Sequence, residues 1–247
     1  MGYSPKLLGQ LRPGTTFNTN IYQPSVGYSA VVSQFSVVNN TLNTHNFRMH
    51  VDQDGSVADL NTALFYDSSV LPGRTLQVTD MQMPITVNGN IIIQCSSADA
   101  LNFNLFGYEY IDITYGNGEK LYDRPKDELN VELAQVSPPF SNVPVNITGV
   151  NGGSMPATAA NQWIVTDIAV CNFKNATHNF RFFYDKDGET FDDQSEILNG
   201  QVGKFSTGYF TRLNWGIDEL GALGIEADGA NSLVFTIYGH QRPSRSF

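Results

Sequence analysis

The chain predicts an all-β fold of two tandem antiparallel β-sandwich domains, jelly-roll-like in form, and three observations carry that expectation. The first is an internal duplication. Thr44-His45-Asn46-Phe47-Arg48 leads to the acidic turn Asp52-Gln53-Asp54-Gly55, and Thr177-His178-Asn179-Phe180-Arg181 leads to Asp185-Lys186-Asp187-Gly188, at a constant offset of 133 from Thr44 and Thr177 onward. The second is composition: 12% aromatics, 15% charged residues, 22 Gly and 5 Met describe strands and turns in place of helices. The third is apolar alternation with period two, interrupted by turn signals at the ~8–12-residue spacing of a sandwich. A chain of 247 residues then divides into two domains, each of roughly 110 residues and able to close its own core.

Taken in order, residues 1–7 form an N-terminal arm without a counterpart in the second copy. Copy one opens at Leu8-Gly9-Gln10-Leu11-Arg12-Pro13, which matches Leu133-Ala134-Gln135-Val136-Ser137-Pro138 at an offset of 125. Thr15 to Pro24 reads as an edge strand with a proline stop. Ser29 to Asn39 aligns with Gln162 to Asn172, and the alternation of Val31, Ser33, Phe35 and Val37 against Val32, Gln34, Ser36 and Val38 predicts a strand with one face in the core. Phe47, Met49 and Val51, like Phe180, Phe182 and Tyr184, share one face of the next strand. The Asp-x-Asp-Gly that follows is a tight turn, with Gly supplying a positive φ.

Copy one continues through Ala63 to Tyr66 and Leu76 to Val78, and copy two through Ile197-Leu198 and Tyr209 to Leu213. The copies realign at an offset of 132, where Ile85, Gly89, Ile93, Leu101, Phe103 and Gly107 match Ile217, Gly221, Ile225, Leu233, Phe235 and Gly239. Asp218 to Gly221 also suits a helical turn; Leu129, Val131 and Leu133 fit a strand, and Leu129, Leu133 and Val136 fit one face of a helix equally. The expected domains are a first sandwich over 8–115, a polar linker over 116–131, a second sandwich over 132–241 and a tail over 242–247. Copy two carries an insertion around Gly152-Gly153-Ser154-Met155-Pro156, a loop of the kind that carries recognition.

Charge and chemistry narrow the function. A net charge of −10 argues against nucleic acid as a partner. No run is apolar enough to span a bilayer, and residues 1–20 lack a signal-peptide core, so the chain reads as soluble. Cys95 and Cys171 fall at non-equivalent places of the repeat and read as buried free thiols. Asp185, Asp187, Glu189, Asp192 and Asp193 are a candidate Ca²⁺ cluster, weighed against a solvated turn that lacks the ligand spacing of a calcium loop; the turn is the preferred reading.

His45 and His178 are loop residues expected to bond to their own backbone, not to a metal. Arg48 and Arg181 are expected in salt bridges or carbonyl contacts within each sandwich. Tyr22, Tyr28, Tyr108, Tyr110 and Tyr115 suit either a sugar-stacking platform or a protein interface. The glycosylation patterns at Asn39, Asn146 and Asn175 are chance matches in a chain rich in Asn and Thr. No nucleophile elbow or P-loop is present, so no catalytic, cofactor-binding or metal-binding residue is assigned and a non-enzymatic role is expected.

Leu8-Gly9-Gln10, the strand ending Val38-Asn39, Asn46-Phe47-Arg48, the Asp52 to Gly55 turn and Phe103-Asn104-Leu105-Phe106-Gly107 give each half a resemblance to a family of small structural proteins of tailed bacteriophages. The resemblance covers about residues 7–115 and 132–241, and copy two departs from it at Ala134 and in its insertion. It implies a virion component without catalytic residues, assembled in the host cytoplasm. Within that implication the expectation is a capsid decoration or cement protein, a homo-oligomer with a homotrimer as the favoured form, whose partners are other virion proteins. A tail fibre or baseplate accessory is the neighbouring alternative, and a carbohydrate-binding module that recognises a host surface glycan is the alternative of another class.

Overall fold

The computed structural model describes residues 6–55, 58–114, 120–122, 131–147, 161–185, 191–217 and 221–243. The insertion around Gly152 to Pro156, the turn residues Lys186 to Gly188, Asp218 to Leu220 of the suggested helical turn, Tyr115, most of the expected linker and arm residues 1–5 lie outside them. The described residues form strands and no helix, and the chain divides into two compact units, Met1–Asn130 and Val131–Phe247.

The first unit holds β1 (Lys6–Leu11), β2 (Thr19–Tyr22), β3 (Tyr28–Asn39), β4 (His45–Asp52), β5 (Ala63–Val70), β6 (Thr75–Val78), β7 (Met83–Ile85), β8 (Asn90–Cys95), β9 (Leu101–Thr114) and β10 (Lys120–Tyr122). One sheet has the order β1-β9-β3-β6, with β7 on β3 and β10 on β9; the other has the order β2-β8-β4-β5. β10 thus adds a strand within the segment read as linker. The second unit holds β11 (Val131–Val136), β12 (Val145–Asn146), β13 (Asn161–Asn172), β14 (His178–Asp185), β15 (Glu196–Val202), β16 (Thr207–Phe210), β17 (Trp215–Ile217), β18 (Ala222–Ala227) and β19 (Leu233–Pro243). Its sheets run β11-β19-β13-β16, with β17 on β13, and β12-β18-β14-β15. All pairings are antiparallel and their order matches that of the first unit, so the architecture is the same jelly-roll-like sandwich built twice. Val131, Leu133 and Val136 lie in a strand and not a helix, whereas Leu129 is outside the described residues.

Each core closes on the apolar faces of its own two sheets. In the first sandwich Phe35 of β3 meets Phe65 of β5 edge-on at 5.0 Å, and Phe47 of β4 meets Phe103 of β9 at 5.6 Å. In the second, Phe180 and Phe182 of β14 contact Phe235 of β19 at 6.1 and 5.4 Å, and Trp215 joins Phe182 at 6.0 Å. Fully burying one such ring contributes about 1.5–3 kcal/mol.

The strict alternation read along β3 fails at one residue, for a reason that recurs in the duplicate. Pairing of β3 with β9 slips between Val32 and Gln34, and pairing of β13 with β19 slips between Val165 and Asp167, so Ser33 and Thr166 are bulges. The slip reverses the faces. Val31, which parity groups with Phe35, packs instead with Tyr108 and Tyr110, while Val32 enters the core. Opposite each bulge the strands approach so closely that a Cβ on Gly107 would lie 2.0 Å from the Val31 carbonyl oxygen, and one on Gly239 would lie 2.0 Å from that of Ile164. Only glycine fits there.

A second duplicated device closes the strand ends. Buried Asn39 donates through Nδ2 to the carbonyls of Asn43 and Val70, both at 2.8 Å, and accepts from the Thr41 amide. Buried Asn172 donates to Ala176 at 2.7 Å and Val202 at 2.9 Å, and accepts from the Lys174 amide. The Asn39 amide is therefore spent inside the fold.

The copies differ on the outer face of the larger sheet. Gln34, Ser36, Val38, Asn102, Asn104 and Phe106 are all partly exposed in the first sandwich, whereas Asp167, Ala169, Cys171, Val234, Thr236 and Tyr238 are all buried in the second. Asp167 is only 1% exposed and neither of its carboxylate oxygens makes a hydrogen bond of normal geometry. Burial raises its pKa to about 6, with the Thr166 hydroxyl and the Arg212 amide opposing the rise only in part.

Candidate functional site

The outer face of sheet β2-β8-β4-β5 carries a connected network of polar side chains. On β4 the period of two that sends Phe47, Met49 and Val51 inward turns Asn46, Arg48 and His50 outward. Arg48 pairs with Asp67 in a fork, Nε to Oδ1 at 2.6 Å and Nη2 to Oδ2 at 3.0 Å. Asp67 reaches this position from a left-handed backbone conformation (φ 48°) at a register slip in β5. Its bonds favour the charged guanidinium and raise the Arg48 pKa, and the Tyr66 ring stacks under that group at 4.0 Å.

Arg48 also donates from Nη1 to Gln94 Oε1 at 3.3 Å, while Gln94 Nε2 donates to the Thr16 carbonyl at 2.9 Å. The side-chain oxygen of Asn46 accepts from Ser69 at 2.8 Å, which leaves its Nδ2 donor without an acceptor among the described residues. His50 places Nδ1 2.9 Å from the Asp59 carbonyl, so that nitrogen carries the proton, and burial lowers its pKa and keeps the ring neutral near pH 7.

Two depressions meet at Arg48 and Gln94. One, of about 460 Å³, runs over Arg48, Asp67 and Gln94 to the exposed ring of Phe17; the other, of about 250 Å³, is bounded by His50, Ala58, Asp59 and Tyr66. The first falls within the size range of small-ligand sites, ~300–1,000 Å³.

The second sandwich uses the same frame and fills it. A turn in which Asp59 caps Asn61 and Thr62 recurs as Asp192 capping Gln194 and Ser195, so Ala58 corresponds to Phe191 at the offset of 133. Phe191 lies 6.2 Å from the buried Phe183 ring, and its carbons stand 2.7 Å from where a Gly224 Cβ would be. His50 and Ile92 occupy the places of Phe183 and Gly224 in the first sandwich. Arg181 bonds Glu196 at 2.5 Å, also pairs with Asp193, and stacks on Phe183 at 4.8 Å. The ion pair is common to both copies; among the described residues the open groove is on the first.

The remaining sequence candidates scatter. Arg48 and Arg181 are in ion pairs as expected. His178, expected to bond to its own backbone, instead meets the Asp228 carboxylate at 2.6 Å, because Asp228 stands where the first copy has Ser96. Burial opposes ionisation of Asp228, yet bonds from Asn179 and His178 prevail and hold its pKa below the ordinary value. Of the acidic cluster, Asp192 caps its own turn, Asp193 pairs with Arg181, and Asp187 and Glu189 lie outside the described residues. No group of three or more His, Cys, Asp or Glu among the described residues is placed to hold a metal ion.

Of the candidate tyrosines, Tyr28 is exposed, Tyr108 is half-buried and Tyr115 lies outside the described residues. Tyr22 and Tyr110 are buried, and the Tyr22 hydroxyl donates to Glu109 at 2.9 Å. Cys95 and Cys171 are free and buried, and burial raises each thiol pKa to about 12. Sequence reasoning passed over Phe17, Ala58, Tyr66, Asp67 and Gln94. Comparison of Ala58 with Phe191 across the repeat is the signal that points to them.

The fold and the groove thus define a tandem jelly-roll-like sandwich with an open polar groove on its first copy. No family model matches the chain, and no curated protein matches its sequence. Among solved structures it is similar to a chain of Broad Bean Stain Virus, at 10% identity over 96% of this chain and 89% of that one, with a TM-score of 0.32. A fucolectin from striped bass (Morone saxatilis) serum is 9% identical over 90% and 85%, with a TM-score of 0.24, and a chain of infectious bursal disease virus strain Gt is 10% identical over 96% and 71%, with a TM-score of 0.20. Likenesses this low carry no conclusion about activity.

Proposed function

We propose that the protein is a non-enzymatic structural component of a tailed-phage virion, a decoration or cement protein held as a homotrimer on the outside of the capsid. The observation that carries this reading is a set of exposed apolar residues at one end of each sandwich. In the first, the Asn39 clamp joins the β3–β4 and β5–β6 loops, whose tips carry Leu42 and Leu71, exposed by 93% and 58%. In the second, the β11–β12 loop carries Phe140 and Val143, exposed by 61% and 47%. That loop is tied to the same end, since Asn231 donates to the Pro138 carbonyl at 2.8 Å as Asp99 does to Pro13. Apolar tips on a rigid frame suit docking to a regular protein lattice, and each sandwich carries a tip of its own, on non-equivalent loops of the repeat.

Co-sedimentation of the purified chain with expanded capsids, and separately with isolated tails, tests the proposal. Saturable binding to capsids is expected, weakened at least ~10-fold by Leu42→Ser with Leu71→Ser. Binding to tails alone would move the protein to a fibre or baseplate, and binding to neither would end the proposal.

A further inference from the structure

We infer that the groove on the first sandwich binds a neutral saccharide, and that the second sandwich lacks this capacity because Phe191 fills the counterpart of the smaller depression and Glu226 stands in the place of Gln94. Three features of the groove select the ligand. Arg48, Asp67 and Gln94 form a row of planar groups already locked to one another. The two Asp67 oxygens each accept one bond from Arg48 and keep a second lone pair, a geometry that receives adjacent hydroxyls of a sugar ring. Phe17, 75% exposed at the rim, offers an apolar ring to the C–H face of a pyranose. The charge balance excludes an anion: Asp67 neutralises Arg48, His50 is neutral, and Asp59 adds a negative charge to the wall.

A peptide is the poorer occupant. It would add to an open strand edge or set apolar anchors into pockets, whereas this groove lies on a sheet face and sets the interlocked polar groups of Arg48, Asp67 and Gln94 along its floor. The comparison within the chain supplies the contrast. The frame is common to both copies, down to the arginine ion pair and the capped turn, and the first copy replaces Phe191 by Ala58 and Glu226 by Gln94. Those two differences create space and remove a negative charge. Such binding is independent of attachment to a capsid, since Leu42 and Leu71 do not line the groove.

The test is ligand-observed saturation-transfer NMR on the full chain with maltohexaose, cellohexaose, xylohexaose and mannohexaose, and with a heparin hexasaccharide as the anionic probe. At least one neutral probe is expected to give saturable transfer with a dissociation constant of about 0.1–1 mM, the weak range of an open site. Gln94→Ala and Phe17→Ser should each weaken it by at least ~10-fold, and Ala58→Phe with Ile92→Gly, which copies the arrangement of Phe191 over Gly224, should abolish it. Phe17 is exposed, so its replacement leaves the fold intact. Phe140→Ser should leave binding unchanged. Absence of transfer from all four neutral probes, persistence in the groove variants, or stronger transfer from the heparin probe would each overturn the inference.

Discussion

Replacing Asp167 by asparagine should make the second sandwich less sensitive to pH, with an effect large enough to measure. Asp167 titrates near 3.8 in the unfolded chain and at about 6 in the folded unit, because burial opposes its ionisation. Between those values the folded state retains a proton that the unfolded state has released. Stability from this group therefore falls as pH rises through the window and levels off above it. At ~1.36 kcal/mol per pKa unit the full cost of the ionised carboxylate above pH 7 is about 3 kcal/mol.

The side-chain amide introduced by Asp167→Asn would also be buried and costs about 1–3 kcal/mol of its own, so the informative quantity is the pH dependence of the difference between the two proteins. Both tryptophans, Trp163 and Trp215, lie in the second unit, so their fluorescence during urea unfolding reports that unit alone. From pH 4 to pH 8 the D167N variant should gain about 2–3 kcal/mol relative to the parent. A difference that stays constant across this range would refute the raised pKa of buried Asp167.

Further outcomes follow from the duplicated devices. Gly239→Ala should destabilise the second unit by at least ~3 kcal/mol, and Gly107→Ala the first, since each new methyl meets a backbone oxygen at 2.0 Å; unfolding followed by tryptophan fluorescence should detect only the former. Asn172→Ala should cost about 2–4 kcal/mol by removing the donor to the buried Val202 carbonyl and, in partly buried bonds, to the Ala176 and Gly203 carbonyls, and the acceptor of the Lys174 amide, with Asn172→Asp no better because it removes the donor; urea midpoints at constant slope check both. Cys95 and Cys171 should resist a thiol reagent at pH 8 until the protein unfolds, as both are buried and their thiol pKa is about 12; titration before and after denaturant measures it.

The frame was readable because it rests on local signals: the repeat at Thr44 and Thr177, the period of two along β4 and β14, and the Asp-Gly turn. The bulges at Ser33 and Thr166 were not readable. They depend on a partner 74 and 73 residues away, Gly107 and Gly239, and parity counting along one strand cannot see across the ladder. Asn39 and Asn172 were legible as strand ends but not as clamps, since their acceptors lie in a different loop. The groove was hidden for another reason: its defining residue is Ala58, a small side chain whose role is the space it leaves beside Arg48. Asp167 read as an ordinary polar residue of an alternating strand, and only burial of both faces of β13 reveals its cost.

Cryo-electron microscopy of intact virions, with the chain located by antibody, tests the assignment most directly. The expected image has sandwich-shaped densities on the outer capsid surface, three chains around each occupied three-fold position, with the loops bearing Leu42 and Leu71 turned to the shell. Particles that carry no such density on head or tail, in preparations where the protein is present only in the host lysate, would contradict the account.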